Sequence, residues 1–243
     1  MKREAAVKPL GTYYKNSRKG TGLKGIPFTI WLYPNMVDVE TLRKLAEDGL
    51  AEVTLRIQSG SEHIRREIFC RGETQRDILA AVSAVRKAGV AWVTCDFTLQ
   101  HPFETTQDLQ ETYWLVKQLC PPFTLSLHRL SLRPGTNIAK LAIKQGYYTE
   151  KELAAMLDAP AEERLLSYWK RDGGIKNQLW YQLIFCLQFC ILRRIVSRYE
   201  SEPVKYRRRI RICYWLATLA FHIRRLRKRV WFVWRRIRMG AGA

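Results

Sequence analysis

Three short polar turns carry the residues best suited to chemistry. Gln58-Ser59-Gly60-Ser61 ends the apolar run Glu52–Ile57 and offers an amide, two hydroxyls and free backbone N–H groups. Gln100-His101-Pro102-Phe103-Glu104-Thr105 ends a second apolar run, and Arg133-Pro134-Gly135-Thr136 follows a third. Amides, hydroxyls and a guanidinium grouped at the ends of strands suit recognition of a polar or anionic ligand. Plainer readings stand beside these roles. Ser59-Gly60-Ser61 also fits a turn with a helix N-cap, His101 a partly exposed loop residue, and Glu104 a charge placed near a helix N-terminus. Asp96 reads either as a paired rim group or as a polar residue on the alternate face of its strand.

The elements that position these turns follow from periodicity and punctuation. Pro27–Leu32 reads as the first strand, and Asp38 caps a helix carrying Leu42 and Leu45 that ends at Gly49. After the Glu52–Ile57 strand, Ser61 caps a short helix through Ile64 and Ile68. Thr74 caps a longer one with Ile78, Val82 and Val85 on one face, ending at Lys87-Ala88-Gly89. Val90–Leu99 is the third strand, a helix runs from Thr106 to Leu119, Pro121-Pro122 stops it, Phe123–Leu130 is the fourth strand, and a helix covers Asn137–Gln145. Strands and helices alternating in this order, with near-continuous apolar strands, predict a parallel sheet. Right-handed crossovers then place all three turns on one rim.

The charge is uneven. Of 42 Lys+Arg and 22 Asp+Glu (net +20), residues Gly173–Ala243 hold 17 basic and only 2 acidic side chains. The front is therefore ordinary in charge and the back is a basic appendage. Six cysteines are scattered without any CxxC pair, which argues against a zinc site and suits a reducing, cytoplasmic setting. Cys186 and Cys190, four apart in an apolar helix, read as core- or lipid-facing thiols.

One ordered set of residues resembles a known family. Asp38-x-Glu40-x-Leu42, Gly49-Leu50, Ile57-Gln58-Ser59-Gly60-Ser61-Glu62, Arg71, Lys87-Ala88-Gly89-Val90, Pro102-x-Glu104-Thr105 and Pro134-Gly135-Thr136 resemble the second half of the radical S-adenosylmethionine (SAM) catalytic domain. The resemblance covers about residues 25–146 and is nearest to members that also carry a cobalamin-binding domain. It implies α/β architecture, with parallel β/α repeats forming a partial TIM-like barrel. It also implies an enzyme that uses SAM and an iron–sulfur cluster for radical chemistry. By the same resemblance Gln58 and Ser59 contact the ribose and amino-acid part of SAM, Arg71 lies near its carboxylate, Gln100 and Glu104 belong to the segment that holds adenine, and Arg133 lines the same rim. Two departures stand out. Arg56 and Gln100 occupy positions where the family usually has glycine, and no Cys-x-x-x-Cys-x-x-Cys triplet occurs in the sequence. Three thiolates are needed to hold the cluster with one iron open, so this chain alone is expected to be inactive and to need the missing N-terminal half as a partner.

The basic tail contains two apolar runs, Leu179–Leu192 and Ile212–Ile223, bracketed by arginines and tryptophans. Both fall short of the roughly 17–25 residues a spanning helix needs. They suit an amphipathic anchor on an anionic membrane surface, peripheral at its inner face, with packing onto the rest of the enzyme and nucleic-acid binding as competing readings. The sequence thus reads as a lead-in (1–25), a partial radical SAM barrel (26–148), connecting helices (149–172) and a mostly helical basic tail (173–243). A lipid or isoprenoid-like substrate is the expectation the tail motivates. A non-catalytic remnant that binds a membrane or partner, and a basic nucleic-acid-binding module, are the alternatives.

Overall fold

The computed structural model describes residues 26–160, 162 and 174–240. The expected lead-in and most of the second part of the connecting segment lie outside the described residues. Four strands, β1 (Phe28–Leu32), β2 (Leu50–Gln58), β3 (Trp92–Thr98) and β4 (Thr124–His128), form one parallel sheet in the order β1-β2-β3-β4. Three crossover helices connect them: α1 (Val39–Asp48), α2 (Gln75–Lys87) and α3 (Thr106–Gln118). The expected α/β architecture of parallel β/α repeats followed by a helical C-terminal region is observed.

Local signals explain the boundaries. Asp38 accepts the Thr41 N–H at 2.8 Å, and Gly49 ends α1 with φ of 119°, a left-handed value that glycine adopts at little cost. Thr74 and Asp77 form a capping box at the start of α2, and Thr105 and Asp108 another at α3. Ser61 departs from expectation. Its carbonyl, not its hydroxyl, takes part at the helix start by accepting from Arg65 N–H at 3.0 Å, and the turn widens into π-helical geometry over Ile64–Ile68.

The strands are not continuously apolar. Val53, Leu55 and Ile57 of β2 and Val93, Cys95 and Phe97 of β3 are buried in the main core with α2 and α3. Each such aliphatic side chain contributes on the order of 1.5–3 kcal/mol. Their neighbours alternate to the other face: Glu52, Thr54 and Arg56, then Thr94, Asp96 and Thr98, then Thr124, Ser126 and His128. Register aligns these in rows, Thr54↔Thr94↔Thr124 and Arg56↔Asp96↔Ser126. The sheet is therefore two-faced, apolar toward α1–α3 and polar on the opposite side. Asp96 belongs to that polar face.

After α4 (Asn137–Lys144) and α5 (Glu150–Asp158), the tail forms α6 (Ile175–Cys186), α7 (Cys190–Val196) and the long α8 (Arg207–Gly240). The first apolar run is core. Leu179, Trp180, Leu183, Ile184 and Cys186 are all buried, and Trp180 meets the Tyr113 ring of α3 edge-on at 5.3 Å. Burial pushes the Cys186 thiol well above its ordinary pKa, while Cys190 is exposed, so the pair does not converge. The Gln188 side chain accepts the Leu125 N–H at 3.3 Å, and Arg224 donates to the Phe123 carbonyl at 2.8 Å, so the tail covers the outer edge of β4. Glu200 ties it down further, accepting from Tyr113 and from Lys117 at 2.8 Å.

Arg193 of α7 is the strongest single join. Its guanidinium donates to the Leu119, Leu187 and Val116 carbonyls at 2.8, 2.9 and 3.3 Å, satisfying the C-terminal end of α3. Arg193→Leu removes these three hydrogen bonds and is expected to cost about 2–4 kcal/mol. Urea denaturation followed by circular dichroism measures this, and a loss below about 0.5 kcal/mol contradicts the assignment.

Candidate functional site

Because all four strands are parallel, their carboxyl ends share one rim, and the three polar turns stand there together. At the centre, Gln58 ends β2 in a left-handed conformation (φ 73°). Its Oε1 accepts from the Thr98 hydroxyl at 2.9 Å, and Thr98 Oγ1 lies 3.0 Å from His128 Nε2. Thr98 Oγ1 thus bridges the Gln58 amide and the His128 ring. His128 Nδ1 in turn lies 3.2 Å from Asp96 Oδ1, an electrostatic contact without hydrogen-bond alignment. The result is a buried polar chain across β2, β3 and β4. Thr98 and His128 were not singled out from sequence, although the alternation Thr124-Leu125-Ser126-Leu127-His128 carries the signal.

The turn after Gln58 is internally satisfied. Ser59 is fully buried, its Oγ accepts from the Ser61 N–H at 3.1 Å, and its carbonyl accepts from Arg65 Nη1 at 2.8 Å. The Gly60 N–H donates to Thr112 Oγ1 at 2.9 Å, and a Cβ on Gly60 would stand 2.1 Å from Thr112 Cα. Only glycine permits this approach of the turn to α3. Arg65 also donates from Nε to the Glu73 carbonyl at 3.1 Å, so one buried guanidinium clamps the turn to the segment preceding α2. Burial lowers its pKa, and no sequence signal marked it.

Arg71 follows the π-helical turn and lies over the Tyr33 ring, 3.6 Å from its centroid. Arg56 approaches the same ring at 5.8 Å and points Nη1 at the Tyr33 hydroxyl, 3.5 Å away. Two guanidiniums on one tyrosine make a cationic corner beyond the ends of β1 and β2.

After β3, Gln100 adopts φ 58°, the conformation glycine would supply there. Its N–H donates to Glu104 Oε2 at 2.6 Å, closing the turn, while Gln100 Nε2 and Glu104 Oε1 are buried without a hydrogen-bond partner among the described residues. Burial raises the Glu104 pKa to about 8 despite the Gln100 N–H. The neutral carboxyl thus accepts at Oε2 and keeps Oε1 available to donate. His101 is buried rather than partly exposed. It packs edge-on against Phe69 at 5.6 Å and near Phe103 at 5.9 Å, has no hydrogen bond at either ring nitrogen among the described residues, and is pushed down to about pKa 4 by burial. Arg133 is exposed, and its carbonyl accepts from the Thr136 hydroxyl at 2.7 Å and from the Thr136 N–H at 3.3 Å. The rim therefore gathers Gln58, Gln100 and Glu104 around β2 and β3 and Arg71 beside β1. Arg133 stays on the periphery.

Below the rim, a cavity of about 730 Å³ separates the polar sheet face from α6 and α8. Glu52, Thr54, Thr94 and Ser126 reach it from the sheet, and Arg225 and Lys228 from α8. Lys228 is paired with Glu52, which also accepts from Thr94 at 2.6 Å.

This arrangement defines a parallel β/α half-barrel with a polar ligand rim. Residues 11–116, under half of the chain, match the radical SAM superfamily. Two solved structures are similar to it. One is coproporphyrinogen III oxidase (HemN) of Escherichia coli, a radical SAM enzyme, at 15% identity with a TM-score of 0.41 over 72% of this chain and 32% of that one. The other is the radical SAM methyltransferase TsrM of Kitasatospora setae, solved with cobalamin and a [4Fe-4S] cluster, at 19% identity with a TM-score of 0.40 over 48% of this chain and 23% of that one. The chain thus spans about a third of the first protein's length and under a quarter of the second's. No curated protein matches the chain.

Radical SAM chemistry calls for two groups, and the residues fit them unequally. Unpartnered buried polar atoms on Gln100, His101 and Glu104 and the cationic corner at Arg71 fit a ligand with a purine edge and a carboxylate, as SAM has. The cluster does not fit: among the described residues no three His, Cys, Asp or Glu side chains converge to hold a metal.

The raised Glu104 pKa makes stability pH-dependent. The folded protein holds the Glu104 proton up to about pH 8, whereas the unfolded carboxyl releases it near the ordinary glutamate value of 4.5. This contribution is complete below pH 4.5, falls as pH rises toward 8 and is flat beyond. Glu104→Gln should remove that decline, so that the melting temperature of the variant relative to wild type rises between pH 5 and pH 8. A difference independent of pH in thermal melts contradicts a neutral buried carboxyl.

Proposed function

We propose that residues 26–148 form the SAM-contacting half of a radical SAM catalytic unit of the cobalamin-associated type, with the cluster ligands supplied from outside the described residues. The observation that carries it is the set of buried, unpartnered polar atoms of Gln100 and Glu104 on the same rim as the Arg56–Tyr33–Arg71 corner. In this reading Arg71 pairs with the SAM carboxylate, Gln58 and the turn at Ser59 border the ribose, and Gln100 and Glu104 offer an amide and an acid proton to the adenine edge. When bound in a complete unit beside a reduced cluster, SAM supplies a deoxyadenosyl radical. This chain's own residues bind and orient it, and the Gln58–Thr98–His128 chain keeps the rim rigid.

A partner carrying the cluster ligands would pair along β1, which among the described residues is an edge strand with Trp31 59% exposed. The cobalamin assignment rests on the sequence resemblance. The hydroxyl-lined sheet face favours a substrate that presents polar groups, so a lipid or isoprenoid-like substrate enters this scheme through its head group. The second reading is a non-catalytic binding remnant, in keeping with the absence, among the described residues, of three converging metal-ligating side chains.

Calorimetric titration with SAM distinguishes them. Binding that weakens about tenfold, or about 1.4 kcal/mol, in Arg71→Ala and in Gln58→Ala, with unchanged circular dichroism, is the expected result. Absence of binding to the wild-type chain removes the SAM half-site and leaves the remnant reading.

A further inference from the structure

Helix α8 carries a second apolar face that the fold does not use. Ile210, Cys213 and Ala217 are buried against the body, and Arg224 and Lys228 anchor the same side at Phe123 and Glu52. On the opposite side, every seventh residue from Ile212 is apolar: Ile212, Leu219, Leu226 and Val233. So is every seventh from Leu216: Leu216, Ile223, Val230 and Ile237. These eight alternate at spacings of four and three, and their exposure ranges from 42% to 64%. At 1.5 Å per residue they form a stripe about 37 Å long that no other described residue covers.

The borders of the stripe point to what covers it. With about 100° per residue, Trp215 and Trp234 fall on its two opposite borders, 65% and 50% exposed. Beyond them stand Arg211, Arg229 and Arg236 on one side and Arg209 and Arg227 on the other. The helix holds 12 Lys and Arg and no Asp or Glu. That charge opposes docking a second copy face to face. An acidic helix would need the border positions for its ion pairs, where the two tryptophans stand. A bilayer surface accommodates both, with indoles at headgroup depth and guanidiniums beside lipid phosphates. Among the described residues no helix is long and apolar enough to cross a membrane, so the helix would lie flat.

We infer that the outer face of α8 docks on an anionic lipid bilayer, with the Ile212–Ile237 stripe in the acyl boundary and the flanking arginines on lipid phosphates. The first apolar run of the tail takes no part, because α6 is core. The inference stands apart from the SAM half-site and holds whether or not the rim binds SAM.

Flotation with phosphatidylcholine vesicles, with and without phosphatidylglycerol, tests it. The full chain should float only with the anionic vesicles, and the bound fraction should fall as salt rises. Brominated lipid should quench tryptophan emission, and Trp215→Phe with Trp234→Phe should remove most of that quenching. Leu219→Glu with Leu226→Glu, both solvent-facing, should reduce binding at least tenfold while circular dichroism stays unchanged. No flotation, flotation untouched by the paired glutamates, or capture of an acidic heptad peptide without vesicle binding overturns the inference.

Discussion

The buried guanidinium of Arg65 is the constraint on which the candidate site depends. It is 1% exposed and donates to the carbonyls of Ser59 and Glu73. Removing a charge from water is costly unless its donors are met, and here two backbone oxygens meet Nε and Nη1 while Nη2 has no partner among the described residues. The interaction fixes the turn after β2, which Gly60 presses against α3, and that turn holds Gln58 in its left-handed conformation. A cation beneath the rim, with Arg56 and Arg71 at its edge, gives this end of the sheet a positive character suited to an anionic group.

A second constraint is the two-faced sheet. Burying Val53, Leu55 and Ile57 against the crossover helices commits Thr54, Arg56 and Gln58 to the other side, because strand side chains alternate. The polar face cannot pack against apolar helices, and the tail accommodates it by leaving a cavity rather than a core. α8 bridges that cavity through the Lys228–Glu52 pair and the Trp92–Trp231 edge contact at 6.3 Å. The helical tail is thus a structural cover for the sheet's polar face and for the β4 edge, and its long last helix still leaves one side bare.

Much of the frame was legible in the sequence because the signals are local. The caps at Asp38 and Thr74, the exit at Gly49 and the stop at Pro121-Pro122 each act within a few residues. The strand order and shared rim follow from parallel topology. The polar alternation was hidden by the long apolar stretches of β2 and β3, where threonine reads as a strand former as readily as a lumen residue. The pairings of Arg65, Thr98 and His128 could not be read, since their partners lie 6 to 40 positions away in sequence and only the fold joins them. His101 looked like a loop residue because its loop is polar, yet the aromatic rings of Phe69 and Phe103 enclose it. The first apolar run of the tail resembled a membrane element because helix periodicity cannot distinguish a core from a lipid surface.

The central claim is that the chain supplies the SAM-contacting half of a site without the cluster-binding half. Equilibrium dialysis against SAM, on protein treated anaerobically with iron and sulfide and on untreated protein, with bound iron quantified in the same samples, tests it most directly. The account predicts the same SAM retention in both samples and no stoichiometric iron in either. SAM retention that appears only together with a stoichiometric iron–sulfur cluster would contradict it.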